Sequence, residues 1–152
     1  MTYRIAESRE MAAPAAQVWA LVSDLPRMGE WSPENVGGRW VKGATGAEKG
    51  AVFSGKNKNG LRRWSTSVTV VACEPGKVFE ISITFGPLAL PVASWRYEFE
   101  DTAEGCLVTE SWDDLRAPWM RFVARPMGDH SADHARQEMA ATLANLARAV
   151  NG

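Results

Sequence analysis

The 152-residue chain lacks the features that mark several specialised classes of protein. Its 17 basic and 18 acidic residues leave a formal net charge of −1, whereas a nucleic-acid-binding domain carries a basic excess on one face. The first residues lack the apolar segment of a signal peptide, and no apolar run approaches the ~18–20 residues of a membrane span. We therefore expect a cytoplasmic protein that binds no nucleic acid and has no transmembrane segment.

Cysteine is scarce as well, since the chain has only Cys73 and Cys106. Both lie in apolar, strand-like segments, without CxxC spacing and without a neighbouring histidine, which argues against a metal or redox motif. The pattern is typical of small buried hydrophobic side chains in a reducing compartment, although the two cysteines could form one disulfide.

Tryptophan, by contrast, is abundant: the chain has 7 Trp against 5 Phe and 2 Tyr. Tryptophan buries a large area and carries an N–H group that needs a partner, so it suits cavity walls and interfaces as well as cores. With 45% hydrophobic residues, a chain of this length can bury one core, and we expect a single domain over residues 1–152.

The apolar pattern first alternates with a period of two and later repeats with the period of a helix. Residues 3–11 alternate as a strand, Pro14 opens a helix that ends near residue 24, and a short second helix follows over residues 27–31. Asn59-Gly60 is the strongest hairpin signal, because both residues tolerate the positive φ of a type I′ turn. Residues 95–100 alternate aromatic with charged side chains, so the charged ones are expected to face solvent.

The last third of the chain predicts one long amphipathic helix, with Ser131 or Asp129 as its N-cap. Its apolar stripe consists of Ala135, Met139, Leu143, Leu146 and Val150. Hairpin-linked strands packed on a single long helix make an α+β domain. Because one helix is too narrow to cover a wide curved sheet, we expect a cavity between them.

Short motifs over nearly the whole chain point to a known fold. In chain order they are Ala13-Pro14-Ala15, Val18-Trp19 with residues 21–24, Trp31-Ser32-Pro33, residues 50–55, 64–70 and 74–79, Trp95-x-Tyr97-x-Phe99 and residues 105–110. Together they resemble the START-like or Bet v 1-like superfamily, and within it the bacterial polyketide cyclase/dehydrase-like (SRPBCC) proteins. The resemblance implies a helix-grip fold: a seven-stranded antiparallel sheet wrapped around the C-terminal helix, with two short helices after the first strand.

The same resemblance implies a function built around an apolar pocket. Proteins of this superfamily bind lipids, sterols, quinones or polyketides, and some are cyclases or aromatases. We therefore expect binding or transport of a hydrophobic small molecule without a cofactor. The alternative is an enzyme of the polyketide cyclase, aromatase or dehydratase type that uses a cavity carboxylate.

An apolar segment over residues 86–91 supports a third hypothesis, an interaction module. Exposed apolar surface of this kind marks a ligand entrance, a partner surface or a membrane contact, and the same segment could instead be packed over the core as a lid. For the oligomeric state we expect a monomer or a weak homodimer.

Most of the aromatic residues on inward-facing strand positions are expected to line the pocket, together with two residues of the last helix. The candidate ligand-binding residues are Trp31, Trp40, Phe53, Trp64, Trp95, Tyr97, Trp112, Met139 and Leu143. Trp19 is assigned to the packing of the first helix and Trp119 to an apolar segment before the last one.

Glu110 is the candidate catalytic residue. It shares one face of its strand with Val108 and Trp112, both of which suit the interior, although Leu107 could equally define the inner face and leave Glu110 outside. A carboxyl group inside an apolar pocket has a raised pKa and can act as an acid or base on a carbonyl ligand.

His130 and His134 are spaced by four residues, which would place both imidazoles on one face of a helix, as in zinc sites. No glutamate follows His130 directly and no third ligand is evident in the sequence. We therefore expect no metal and interpret this segment as a solvated, charged first turn.

Overall fold

Seven antiparallel strands form one continuous sheet in the computed structural model, which describes residues 5–123 and 131–151 apart from the side chain of Asn59. Their spatial order is β1-β7-β6-β5-β4-β3-β2, so only the first strand leaves the chain order and pairs with the last. The strands are β1 Ile5–Met11, β2 Asn35–Val41, β3 Val52–Asn59, β4 Arg62–Glu74, β5 Val78–Phe85, β6 Leu90–Thr102 and β7 Gly105–Asp114. This is the predicted helix-grip arrangement.

Two short helices follow β1 as predicted, α1 over Ala15–Ser23 and a 3₁₀ helix over Leu25–Glu30. Pro14 precedes α1 in an extended conformation, and a proline lies at the start of the 3₁₀ helix. In both places the missing N–H of proline would have had no partner within the helix.

Two further helices, α2 Pro118–Val123 and α3 Ala132–Asn151, complete the described chain. The hydroxyl of Ser131 accepts a hydrogen bond from the backbone N–H of His134 at 3.2 Å, which confirms Ser131 as a cap. The alternative cap, Asp129, lies outside the described residues, as does His130.

The predicted stripe of α3 faces the sheet and contributes to two apolar clusters. Leu143 and Leu146 belong to a large cluster beneath α1 and the 3₁₀ helix. Ala135 and Met139 pack with Trp112 in a smaller one near the start of α3. The same helix therefore covers both ends of the sheet, with a large apolar cluster at one end and a smaller one at the other.

The strand predictions hold except at one turn. Tyr97 and Phe99 are buried while Glu98 and Glu100 are exposed, as the alternation predicts. The β3–β4 turn is Gly60-Leu61 rather than Asn59-Gly60, because Asn59 still pairs with Arg62. Gly60 has a φ of 65°, and glycine in the first position of a two-residue turn is typical of type II′, not type I′.

The two cysteines behave as small apolar residues. Both thiols are free, with Cys106 buried and Cys73 half-buried, and burial raises the pKa of each thiol above its ordinary value. Across the described residues, no helix combines the length and the apolar character that crossing a membrane requires.

Candidate functional site

A cavity of about 350 Å³ lies between the sheet and the helices α2 and α3. Its wall combines residues from β4, β5, β6, β7, α2 and α3, represented by Trp64, Ile83, Trp95, Trp112, Met120 and Ala135. The volume lies near the lower end of the ~300–1,000 Å³ typical of small-molecule sites. The cavity adjoins the smaller apolar cluster, to which Trp112 and Ala135 also belong.

Four of the predicted pocket residues lie on this wall: Trp64, Trp95, Tyr97 and Trp112. Trp95 and Trp112 are direct partners across β6 and β7, and their ring centroids are 6.2 Å apart at an interplanar angle of 48°. The alternation of these strands turns the rings inward, so the sheet itself builds an aromatic floor.

The other five predicted pocket residues are placed in the core instead of on the wall. They are four buried residues, Trp31, Phe53, Met139 and Leu143, and the half-buried Trp40, which packs against the larger cluster. Trp40 and Phe53 pair across β2 and β3 and contact each other edge to face, with ring centroids 5.3 Å apart. Strand alternation identifies the inward face, but not which part of that face a helix then covers. Ligand contact by any of the nine residues stays a prediction.

Glu110 is buried in the cavity wall with 2% of its surface exposed. It lies directly opposite Tyr97 on the neighbouring strand, and its Oε1 atom is buried without a hydrogen-bond partner. Burial raises the pKa of Glu110 to about 8, against an opposing effect of the Tyr97 hydroxyl. At neutral pH this carboxyl group therefore carries a proton and can donate a hydrogen bond.

A second group of polar side chains on the wall consists of Glu34, His134 and Glu138. The sequence analysis missed both glutamates and expected His134 in a solvated first turn, which is wrong for this residue because its side chain is half-buried in the cavity wall. His134 Nε2 lies 3.0 Å from Glu34 Oε1 and 3.1 Å from Glu138 Oε1. Burial raises the pKa of Glu138 well above its ordinary value, and the nearby Glu34 and Glu110 raise it further. The i, i+4 spacing of His134 and Glu138 was a visible signal, whereas Glu34 lies 100 residues from His134 in sequence.

An ion-pair cluster connects the end of β7 to α2. The Arg116 guanidinium donates two hydrogen bonds of 2.9 Å to the Asp114 carboxylate, and Arg121 Nε lies 3.3 Å from Asp114 Oδ2. Burial alone would raise the pKa of Asp114, but the hydrogen bonds from Arg116 outweigh it and lower that pKa. The cluster holds α2 against the cavity.

The mouth of the cavity is apolar. Phe85, Trp119 and Val123 line the cavity yet remain 39%, 57% and 64% exposed. Trp119 lies in the apolar segment before the last helix, to which it was assigned, and this segment borders the mouth. Leu88, in the turn between β5 and β6, is 80% exposed, so the tip of the 86–91 segment is not packed into the core.

Comparison with known proteins agrees with this architecture. Residues 2–151 match the family described as polyketide cyclase/dehydrase and lipid transport. The solution structure of the polyketide cyclase-like protein Cgl2372 from Corynebacterium glutamicum is 34% identical, with a TM-score of 0.59 over 97% of this chain and 90% of that one.

More distant structures share the fold alone. Protein CV1439 from Chromobacterium violaceum is 13% identical, with a TM-score of 0.74 over 97% of this chain and 96% of that one. The di-domain aromatase/cyclase StfQ of the steffimycin biosynthetic pathway is 13% identical, with a TM-score of 0.72 over 97% of this chain and 50% of StfQ. No curated protein matches significantly. Because the family match covers residues 2–151, the chain belongs to the polyketide cyclase/dehydrase and lipid transport family.

Proposed function

We propose that the protein binds a hydrophobic small molecule in the cavity and that protonated Glu110 donates a hydrogen bond to an oxygen atom of that molecule. The observation that carries the proposal is the buried Glu110 Oε1 atom, which has no hydrogen-bond partner in the wall of an otherwise largely apolar cavity. The family description, which includes lipid transport, supports a hydrophobic ligand.

The energetics favour a ligand with one polar end. Apolar surface removed from water contributes about 25 cal/mol per Å², and Trp64, Trp95 and Trp112 supply such surface. A buried polar group without a partner costs about 1–3 kcal/mol, so a carbonyl or hydroxyl oxygen placed at Glu110 would offset that cost. A ligand without such an oxygen would leave the carboxyl group unpaired.

A matched pair of probes tests both parts of the proposal. The neutral ketone 9-fluorenone and its hydrocarbon analogue fluorene differ in the carbonyl oxygen, and each can compete with the fluorescent probe 1-anilinonaphthalene-8-sulfonate. We expect both to displace the probe, and fluorenone to bind more tightly by about 2–12-fold at pH 6.5, which corresponds to one hydrogen bond.

Two substitutions and a pH series separate Glu110 from the rest of the wall. Above pH 8 the advantage of fluorenone should decline, because ionised Glu110 no longer donates. Glu110→Gln should keep the advantage at every pH through its amide N–H, and Glu110→Leu should remove it. Equal affinities for the two probes in the unmodified protein would disprove the role of Glu110. Failure of any hydrophobic probe to bind, with no small molecule retained in native mass spectrometry, would disprove the binding function.

A cyclase or dehydratase activity is a second candidate, favoured by one observation. Glu110 and Tyr97 face each other in the cavity as two buried, protonated acids, and such a pair can polarise a carbonyl group or transfer a proton. A linear poly-β-ketone presented as an N-acetylcysteamine thioester tests it, since Glu110→Gln should abolish any cyclised product. Unchanged turnover in that variant would remove the enzyme hypothesis.

We further propose that residues 1–152 act as one ligand-binding domain in the cytoplasm, as a monomer or a weak homodimer. Two free cysteines support a reducing compartment. Light scattering coupled to size-exclusion chromatography should give a monomer mass at low concentration, and a stable higher oligomer would contradict the proposal.

A further inference from the structure

Glu34, His134 and Glu138 bring three potential metal ligands together on one side of the cavity. One ligand atom from each residue can be chosen so that all three lie within 4.8 Å of one another. Glu34 lies just before β2, and the other two residues occupy the first turns of α3. The start of β2 and the start of α3 are far apart in sequence, so only the tertiary fold brings the three side chains together.

Hydrogen bonding within the group leaves acceptors unpaired. A single Nε2–H of His134 can be donated to only one of the two carboxylates that it contacts. The atoms Glu34 Oε2 and Glu138 Oε1 are both buried and have no hydrogen-bond partner. Native structures rarely leave buried acceptors in this condition, and a bound ion is one of the accepted explanations.

Glu110 is a further buried polar side chain in the same cavity. This side chain is 2% exposed, its Oε1 atom is also without a partner, and it lies in the same cavity close enough to Glu138 for the two groups to interact electrostatically. Apart from His134, Arg116 is the basic side chain among the described residues that line the cavity. Its guanidinium group is already bound to Asp114. Glu34 and Glu138 therefore face a cavity whose arginine is engaged elsewhere.

We propose that Glu34, His134 and Glu138 form a site for a divalent first-row transition-metal ion, with Zn²⁺ as the best match. Bonds of about 2.0–2.2 Å in a tetrahedral site place neighbouring ligand atoms about 3.3–3.6 Å apart. The observed separations of 3.0 Å and 3.1 Å between Nε2 and the two oxygens need small adjustments to reach that spacing.

The donor set determines which ions fit. One imidazole nitrogen with two carboxylates suits zinc and neighbouring transition metals, whereas Ca²⁺ takes six to eight oxygen ligands and Mg²⁺ prefers an octahedral set of oxygens. All three ligands line the cavity, so a fourth coordination position would open into it. That position could take a water molecule or an oxygen of a cavity ligand, as in zinc sites with three protein ligands.

Metal binding can be measured on the full chain without a polyhistidine tag, after treatment with a chelator and dialysis. Titration with Zn²⁺ alone in a calorimeter should give one site per chain, and Mg²⁺ should give none. Co²⁺ should produce visible absorption bands of a low-coordinate site without thiolate charge transfer. Glu34→Gln and Glu138→Gln should each weaken Zn²⁺ binding at least 10–100-fold, the approximate range known for outer-shell partners of metal ligands.

Glu104→Gln is the matched control, because Glu104 is an exposed glutamate in the turn between β6 and β7. This substitution should leave the Zn²⁺ affinity unchanged. Circular dichroism of each variant reports whether it folds. In the unmodified protein, paramagnetic Co²⁺ should broaden the NMR signals of His134 before those of Cys73 or Cys106, which makes the test independent of any variant. Absence of Zn²⁺ binding, or binding that survives both glutamate substitutions, would overturn the site, and probe binding to the chelated protein would stand regardless.

Discussion

The two ends of the sheet are covered by the same long helix but are filled in opposite ways. Beneath α1 and the 3₁₀ helix, side chains such as Val22, Phe79 and Leu146 are fully buried and closely packed. Toward the start of α3, the space holds a cavity with Glu110, Glu138 and Tyr97 in its wall. The first region stabilises the fold. The second contains buried acids, which lower the stability of the protein but can donate a hydrogen bond or a proton to a ligand.

The largest effect should come from a matched pair of aliphatic truncations. Leu146→Ala removes a fully buried side chain from the packed end and should lower the free energy of unfolding by about 2–5 kcal/mol. Ile83→Ala removes a side chain of the same size from the half-buried cavity wall and should cost about half as much or less. Urea denaturation followed by tryptophan fluorescence measures both free energies of unfolding. Equal decreases for the two variants would show that the two ends are packed equally well.

Glu110→Gln should stabilise the protein at pH 8, because the substitution removes an acid whose ionised form the cavity disfavours. Burial raises the pKa of Glu110 from 4.5 to about 8, so between these values the unfolded state has lost a proton that the folded state keeps. Stability must then fall as pH rises through this range. One pKa unit corresponds to about 1.4 kcal/mol, so the gain amounts to a few kcal/mol at most.

Unfolding measured from pH 5 to pH 8 should therefore show a steeper decline for the unmodified protein than for Glu110→Gln. Glu104→Gln, at an exposed position, is the control and should run parallel to the unmodified protein. Parallel curves for Glu110→Gln as well would show that the cavity does not disfavour the carboxylate.

Asp114→Asn should lower the free energy of unfolding at pH 7 by about 1–3 kcal/mol, because it weakens the contacts that hold α2 beside the cavity. The pKa of Asp114 is lowered in the folded state, so its contribution is present above the ordinary aspartate pKa and is lost as pH falls through the folded value. Thermal unfolding at pH 7 and at pH 3 should show the difference shrinking in acid, and a difference independent of pH would contradict the ion-pair interpretation.

The smallest effect should come from Trp19→Phe at the packed end. Trp19 Nε1 donates a hydrogen bond of 2.9 Å to the carbonyl oxygen of Val78, and its loss should cost about 0.5–1.5 kcal/mol, plus the smaller ring area. Because Trp19 is not one of the described residues that line the cavity, displacement of a hydrophobic probe should be unchanged. A change in probe affinity would mean that the two ends are coupled.

Much of the architecture follows from local pattern. The period-two segments, Pro14 and the apolar stripe of α3 predicted the elements, and the motif resemblance predicted their arrangement. The pattern allowed two orientations of β7, and the structure shows the one in which Glu110 is buried on the same face as Val108 and Trp112. The turn at Gly60 was shifted by one residue, since pairing of Asn59 with Arg62 extends the strands further than turn propensity indicates.

The excess of tryptophan determined that large aromatic surface would be buried, but not where. Trp64, Trp95 and Trp112 face the cavity. Trp31 is buried in the core at the end that α1 and the 3₁₀ helix cover, and the half-buried Trp40 packs against that core. The sequence by itself determined which residues share a face of each strand, because side-chain direction has a period of two along a strand. Only the tertiary structure decided which inward residues border empty space and that Glu34 meets His134 across 100 residues, because both depend on how separate elements cover one sheet.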